Sequence, residues 1–298
     1  MTGRIHDLGY QRYAGARRSP ATRWRVIARH ELANAWKTWW RYKLVVAFVV
    51  IATFVFGGVM YWGTGFASRV ALLRGGVIAQ VDAALPQSME FYCRIAFYAS
   101  LTIGATAIAG DLQTGAFTFY FARSVRPRDY VIGKLVGFGL LVAGILVVGP
   151  LVLALIRLGV CETFDEAVAR LVIVPKILAA GGLAALAFAT VPLAFSSLVA
   201  SRRTALALWA AYYWLFGLIA QRVGTNWHGE IAMLDLFAAA RVVAYDLFDI
   251  TLSKGWGARW GNPVGAAVAS LVGHAAVAIS IVWWRVRAAQ KSGIGGSS

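Results

Sequence analysis

Long apolar stretches alternate with short polar ones along this chain, and their lengths carry the first inference. Residues 44–62 contain no charge over 19 positions, and 135–156, 177–201 and 263–284 are equally free of Asp, Glu, Lys and Arg. Residues 91–109 are interrupted only by Arg94, and 204–221 are shorter but uncharged. A helix rises 1.5 Å per residue, so about 20 apolar residues cross roughly 30 Å of hydrocarbon. The pattern predicts an all-α integral membrane protein with six spans, over about 44–62, 91–109, 131–156, 175–200, 204–221 and 263–284. The transmembrane part is thus 44–284, preceded by a polar segment 1–43 and followed by a tail 285–298.

The polar ends have their own pattern. A secretory signal would place an apolar core close to the start. Here the first apolar run follows 43 polar, basic residues and is of full membrane length, which reads as a retained anchor. Residues 1–21 look irregular. In 22–43, Trp24, Ala28, Leu32, Ala35, Trp36 and Trp39 share one helical face, with Arg23, Arg29, Lys37 and Arg41 mostly opposite. A basic, Trp-rich amphipathic helix suits the membrane interface. Trp39, Trp40 and Tyr42 precede the first span, and Tyr61 and Trp62 end it. Trp256, Trp260, Trp283 and Trp284 bracket the last span, as interfacial aromatics do. In 222–262, Ile231, Leu234, Ala238, Val242 and Tyr245 recur at helical spacing, predicting a helix on or dipping into the outer surface.

Composition agrees: 59% of the 298 residues are hydrophobic and 14% charged, against about 45–50% and 25% in globular proteins. The net charge of +16 raises the question of nucleic acid. Its distribution answers otherwise. Segments 1–43, 110–134, 201–203 and 285–298 hold nineteen of the 29 Lys and Arg, although the other loops are longer. That is the positive-inside asymmetry, and it places both termini in the cytoplasm. Cys93 and Cys161 make no metal framework, and whether they pair stays open.

Between the second and third spans lies GDLQTGAFTFYFARSVRPRDYVIGK, residues 110–134. A bare turn needs only a few residues, and this loop has many more. Phe117, Phe119, Tyr120 and Phe121 form an aromatic block too short to span, followed by Arg123, Arg126 and Arg128, with Pro127 breaking any continuing helix. The composition suits a short helix along the inner surface that offers side chains to a cytoplasmic partner.

This stretch resembles the first cytoplasmic loop of type-2 ATP-binding-cassette (ABC) exporter permeases. The matching positions are Asp111, then Thr114-Gly115-Ala116, Arg126-Pro127-Arg128, Tyr130 and Gly133-Lys134. The family more often has glutamate where this chain has Asp111. The basic helix before the first span, the six spans and the helical segment before the last span fit the same architecture. The resemblance implies a bacterial inner-membrane exporter subunit working as a pair of permease chains. Two ATPase subunits would dock through Asp111, Thr114, Gly115, Phe117, Phe119, Tyr120, Arg123, Arg126, Pro127, Arg128, Tyr130, Gly133 and Lys134. ATP and Mg would be held by that partner, with no cofactor on this chain.

Signs of catalysis are sparse. No G-x-x-x-x-G-K-[ST] occurs, HELAN at 30–34 lacks the second histidine of a zinc motif, and there is no G-x-S-x-G. His274 is the one histidine within a predicted span, which makes it a functional candidate or a hydrogen-bonded helix contact. Ser196 and Ser197 read as helix-joining hydroxyls or, alternatively, an intramembrane nucleophile. Tyr212, Tyr213 and Trp214 fall mid-span, where aromatics are not interfacial anchors, and with His274 they are candidates to line a path for an amphipathic cargo. A membrane scaffold or an intramembrane protease or acyltransferase remain the alternatives.

Overall fold

The computed structural model describes residues 20–37, 42–69, 74–122, 125–250 and 259–291. Within them the chain is helical, without strands, and six helices are long and apolar enough to cross a membrane. They are Leu44–Phe66, Gly76–Gln113, Pro127–Gly159, Phe164–Leu198, Arg202–Asn226 and Val264–Lys291, here called spans one to six.

The second span begins well before the apolar window that announces it. Charges at Asp82 and Glu90 depress local hydropathy but do not stop the helix, because each finds partners on another element. Asp82 pairs with Arg157 of span three at 3.0 Å and with Arg170 of span four at 2.9 Å. Glu90 holds Arg94 at 3.1 Å and Arg241 at 3.3 Å.

Spans two, three and five each contain a π turn, at Ser100–Gly104, Gly144–Val148 and Tyr212–Phe216. A π turn shifts the helical register and disturbs the regular hydrogen-bond ladder. Neighbouring side chains bond to the backbone and hydroxyls beside two of them. The Tyr42 hydroxyl donates to the Leu141 carbonyl at 2.8 Å, and Trp209 Nε1 donates to Ser100 Oγ at 2.7 Å. The backbone N–H groups of Ile108 and Ala109 both donate to Ser196 Oγ at 2.9 Å. Ser196 is fully buried and spends its oxygen on those two bonds, so it joins spans two and four.

Span four is central. Small buried residues such as Ala180, Gly181, Ala184 and Ala187 let it touch spans two, three and six. The helix Leu236–Leu247 leans on the same group, with Leu236, Ala239, Val242, Val243 and Tyr245 buried. The expected 231–245 periodicity is divided between two elements. Ile231 belongs to the short helix Gly229–Ala232, Leu234 is exposed, and Asp235 caps the following helix by accepting from Phe237 and Ala238 N–H.

The N-terminal helix Arg23–Lys37 rests on the start of span three, burying Ile27, Ala28, Glu31 and Ala35. The face expected to meet lipid is therefore shared: Ala28 and Ala35 pack inward, Trp36 stays exposed, and Trp39 lies outside the described residues.

Candidate coupling site

Span two ends at Gln113, and the loop that follows is built residue by residue. Thr114 closes the helix, its hydroxyl donating to the Gly110 carbonyl at 2.9 Å. Gly115 adopts φ of 66°, the left-handed conformation that stops a helix at little cost only for glycine. The chain then forms the short helix Ala116–Ala122 and reaches Arg126 in an extended conformation. Pro127 sits at the first turn of span three, where its missing N–H costs nothing and its ring favours the helix. It starts a helix here as well as ending the loop. Asp129 completes the cap by accepting from the Arg126 N–H at 3.3 Å.

Behind this loop lies a buried charge cluster. Lys134 Nζ is 2.6 Å from Glu31 Oε1 and 2.8 Å from Asp111 Oδ2, and it donates to the Ala107 carbonyl at 3.2 Å. Its three N–H groups thus have three oxygen acceptors. Tyr130 donates its hydroxyl to Asp111 Oδ2 at 2.7 Å. Lys134 is 2% exposed and Glu31 6%, so solvent screens neither charge appreciably. A buried ammonium is tolerated only when paired and fully hydrogen-bonded, as it is here. The cluster ties together the N-terminal helix, the end of span two and the start of span three.

Glycine makes that junction possible. A Cβ on Gly133 would lie 2.6 Å from Ile27 Cβ and 2.9 Å from the Trp24 carbonyl oxygen. One on Gly137 would lie 2.9 Å from Glu31 Cβ and 3.0 Å from the Ala28 carbonyl oxygen. The Gly133-Lys134 pair therefore has a physical meaning: the glycine admits the N-terminal helix and the lysine holds it by Glu31.

The loop aromatics do not share one surface. Phe117 is 1% exposed and meets Tyr130 edge-on, with ring centroids 5.0 Å apart. Tyr120 and Phe121 are half-buried around the same Tyr130 ring. Burial, and then the Asp111 charge, raise the Tyr120 phenol above its ordinary pKa. Phe119 alone of the four turns outward, at 73% exposed. Arg126 and Arg128 are exposed, Arg128 lying 3.9 Å from Asp129, while Arg123 lies outside the described residues. Among the described residues, Asp111 holds Lys134 and Tyr130 rather than a loop arginine or the loop backbone.

A family model described as "ABC-2 family transporter protein" covers residues 25–240, most of the chain and all of this junction. The chain belongs to the ABC-2 transporter family. It is accordingly a multi-pass membrane protein and the permease subunit of an ABC transporter, a family whose membrane chains typically carry no catalysis and partner with an ABC ATPase. Comparison with curated proteins found no match.

The mid-span candidates of this ABC-2 subunit separate into two places. Tyr212 and His274 are joined, the hydroxyl 2.6 Å from Nε2, while His274 Nδ1 lies 2.8 Å from the Ser270 carbonyl. The carbonyl can only accept, so Nδ1 carries the proton and Nε2 accepts from Tyr212. This pair borders a cavity of about 450 Å³ between spans four, five and six. Tyr213 turns away and stacks on Phe97 of span two, with centroids 3.7 Å apart. Trp214 is exposed and lines a second cavity, of about 300 Å³, with Arg94, Tyr98, Gln221 and Asp235.

Glu31 was missed by motif reading, where it appears only inside a failed zinc pattern. Its signal was available: an acidic residue sits between Ala28 and Ala35 on the otherwise apolar side of an amphipathic helix. Such a charge needs a partner on whatever that side covers. Cys93 and Cys161 are both free thiols.

Proposed function

We propose that this permease is an exporter subunit in which the 110–134 loop couples ATP hydrolysis on a separate ATPase to motion of the spans. Two copies of the chain, or this chain and a related one, pair with two ATPase subunits that hold ATP and Mg. The observation that carries this reading is the contrast within one short helix. Phe119 projects outward while Phe117, on the same helix, is buried against Tyr130, whose hydroxyl bonds Asp111 of the Glu31–Lys134–Asp111 cluster. A push on the outer ring is delivered to a rigid junction of three helices.

In this reading the chain sits in a bacterial inner membrane with both termini in the cytoplasm. The exposed Phe119 and the rim of Tyr120 enter a groove of the ATPase, and Arg126 and Arg128 meet acidic groups or lipid phosphates around it. Losing a buried aromatic anchor typically costs about 2 kcal/mol or more of binding, while a rim charge pair contributes little. The cargo is lipid-like, amphipathic or polymeric, moved out of the cytoplasm or inner leaflet by alternating access. The Trp214 cavity, with Arg94 opposite aromatic walls, supports a path that accepts an apolar body with a polar end.

The test compares two variants in co-purification and reconstituted transport. Phe119→Ala with Tyr120→Ala should release the ATPase. Asp111→Ala should retain it but hydrolyse ATP without transport. If both variants bind the ATPase and transport at the wild-type rate, the coupling reading fails.

A further inference from the structure

The cavity of about 450 Å³ between spans four, five and six lies apart from the coupling site and from the Trp214 cavity. Its span-six wall runs from Ala269 past Gly273 and Val277 to Ile281, a rise of about 18 Å. That is close to the depth of one leaflet, half of a hydrocarbon core of about 30 Å. Span five contributes Tyr212 and Phe216, stacked with ring centroids 5.1 Å apart across the π turn. The polar atoms inside are bonded within the protein: Tyr212 donates to His274 Nε2, and His274 Nδ1 donates to the Ser270 carbonyl. The interior therefore suits hydrocarbon.

The loop-side end of the cavity has a different character. Leu198, the last residue of span four, and Ile281 of span six line it. One turn beyond Ile281 stands Arg285, whose Nε donates to the Ser197 carbonyl at 3.2 Å and whose guanidinium lies 5.8 Å from the Trp284 ring centroid. Carbonyl and ring hold the guanidinium at this end, and among the described residues its two terminal nitrogens meet no acceptor. Arg203 and Arg287 are exposed at the same end of the bundle, Arg287 over the Trp283 ring. Nothing acidic in these spans balances them. Residues 167–229 and 250–298 contain no Asp or Glu, and they take in spans five and six and all but the first turn of span four. Glu31, Asp111 and Asp129, from the neighbouring elements, are engaged by Lys134 and by the cap of span three.

We propose that this cavity and its arginine end bind a single anionic phospholipid, phosphatidylglycerol in class, from the leaflet on the loop side. One acyl chain lies along span six between Gly273 and Ile281, and the phosphate sits on Arg285. Trp283 and Trp284 mark the boundary between tail and headgroup, the depth at which such rings sit in membranes. Arginine suits the phosphate because its planar fork still offers paired donors after Nε is spent on Ser197. Arg203 and Arg287 add positive potential, and no carboxylate stands ready for the ammonium of a zwitterionic headgroup. Basic pockets between spans hold anionic head groups on these grounds. This inference depends only on the helices being membrane spans, not on the coupling reading or on which side is the cytoplasm.

The experiment uses the full chain, without an ATPase, in phosphatidylcholine nanodiscs doped with phosphatidylglycerol bearing a diazirine in one acyl chain. Peptide mapping after photolysis should place the label on 191–198 and 269–281, in excess over the exposed residues Phe48, Ile51 and Val55 of span one. Gly273→Phe fills the cavity from a position where an added Cβ meets no atom within 4 Å, and it should reduce the label to the span-one level. Gly139→Phe, equally open but on span three, should leave it unchanged. Arg285→Gln should lower the labelling about tenfold, the loss of one charge-assisted bond, while Arg285→Lys should keep most of it. A phosphatidylcholine probe with the same tail should label several-fold less. Uniform labelling of spans one, four and six, equal labelling by the phosphatidylcholine probe, or no change with Arg285→Gln would mean ordinary surrounding lipid and overturn the site. Displacement of the label by inorganic phosphate would make it a site for free anions and overturn the lipid assignment. Cross-linking of Val277→Cys to the same residue of a second copy would make the cavity a protein interface and overturn it equally. Chromatographic homogeneity of each variant confirms that the fold is retained.

Discussion

Both ends of the helical bundle are held by ion pairs, yet the two arrangements differ in kind. At the loop end, Lys134 is enclosed between Glu31 and Asp111, with side-chain exposures of 2%, 6% and 20%. At the opposite end, Asp82 takes Arg157 and Arg170, and Glu166 adds a second contact to Arg170 at 3.0 Å. There Arg157 is buried at 2% exposed, but Asp82 is 38% exposed, Arg170 25% and Glu166 37%, so water and salt reach the carboxylates and weaken the attraction. The loop end also brings helices to backbone contact at Gly133 and Gly137. Under the proposed coupling mechanism, a junction that transmits force benefits from charges that cannot dissolve into solvent, and an end that separates benefits from charges that can.

Four tests would break or sharpen this contrast. The largest effect is expected for Lys134→Met, which strands the buried Glu31 carboxylate and the partly buried Asp111. Removing one partner of a buried pair costs about 3–5 kcal/mol. Unfolding titrated with denaturing detergent should show it, and adding Glu31→Gln with Asp111→Asn should recover much of the loss. A variant as stable as wild type would mean that the cluster is hydrated and not a stiff joint.

Phe117→Ala should follow, at about 3–5 kcal/mol for a buried ring. Phe119→Ala, two residues away but exposed, should stay within about 0.5 kcal/mol in the same assay. Equal losses would erase the distinction between the inward and outward faces of the loop helix.

Gly137→Val forces a branched side chain against Ala28 and Glu31. Overpacking of this sort costs about 1–3 kcal/mol. Limited proteolysis should find the N-terminal helix Arg23–Lys37 cut sooner than in wild type, with the rest of the bundle intact. If cleavage is unchanged, the close helix contact is not what seats this helix.

Arg170→Gln at the opposite end should be the mildest, about 0.2–1 kcal/mol, and most of that should vanish in high salt. The Lys134→Met loss should persist in the same salt. Parallel salt titrations of the two variants therefore measure the difference between the ends directly.

Much of this architecture is legible along the chain because crossing a membrane is a local property. Length multiplied by apolarity decides it, and runs such as 44–62 and 263–284 announce their helices without reference to any other segment. The loop at 110–134 is equally visible, since aromatics, arginines and a proline have no place in hydrocarbon. Pairing is not local. Glu31 and Lys134 lie 103 residues apart in sequence, and only packing of the N-terminal helix at Gly133 and Gly137 brings them within 2.6 Å. Four neighbouring loop residues of similar character were divided into one buried ring, two partly covered and one exposed by how a short helix happens to turn against Tyr130. Tyr212, Tyr213 and Trp214, adjacent in sequence, were separated by a π turn and by the different neighbours His274 and Phe97. The sequence by itself determined which segments enter the membrane, because transfer to hydrocarbon is nearly additive over residues. Only the tertiary structure decided which charges and rings meet, because that depends on helix rotation and close approach, quantities that no single segment contains.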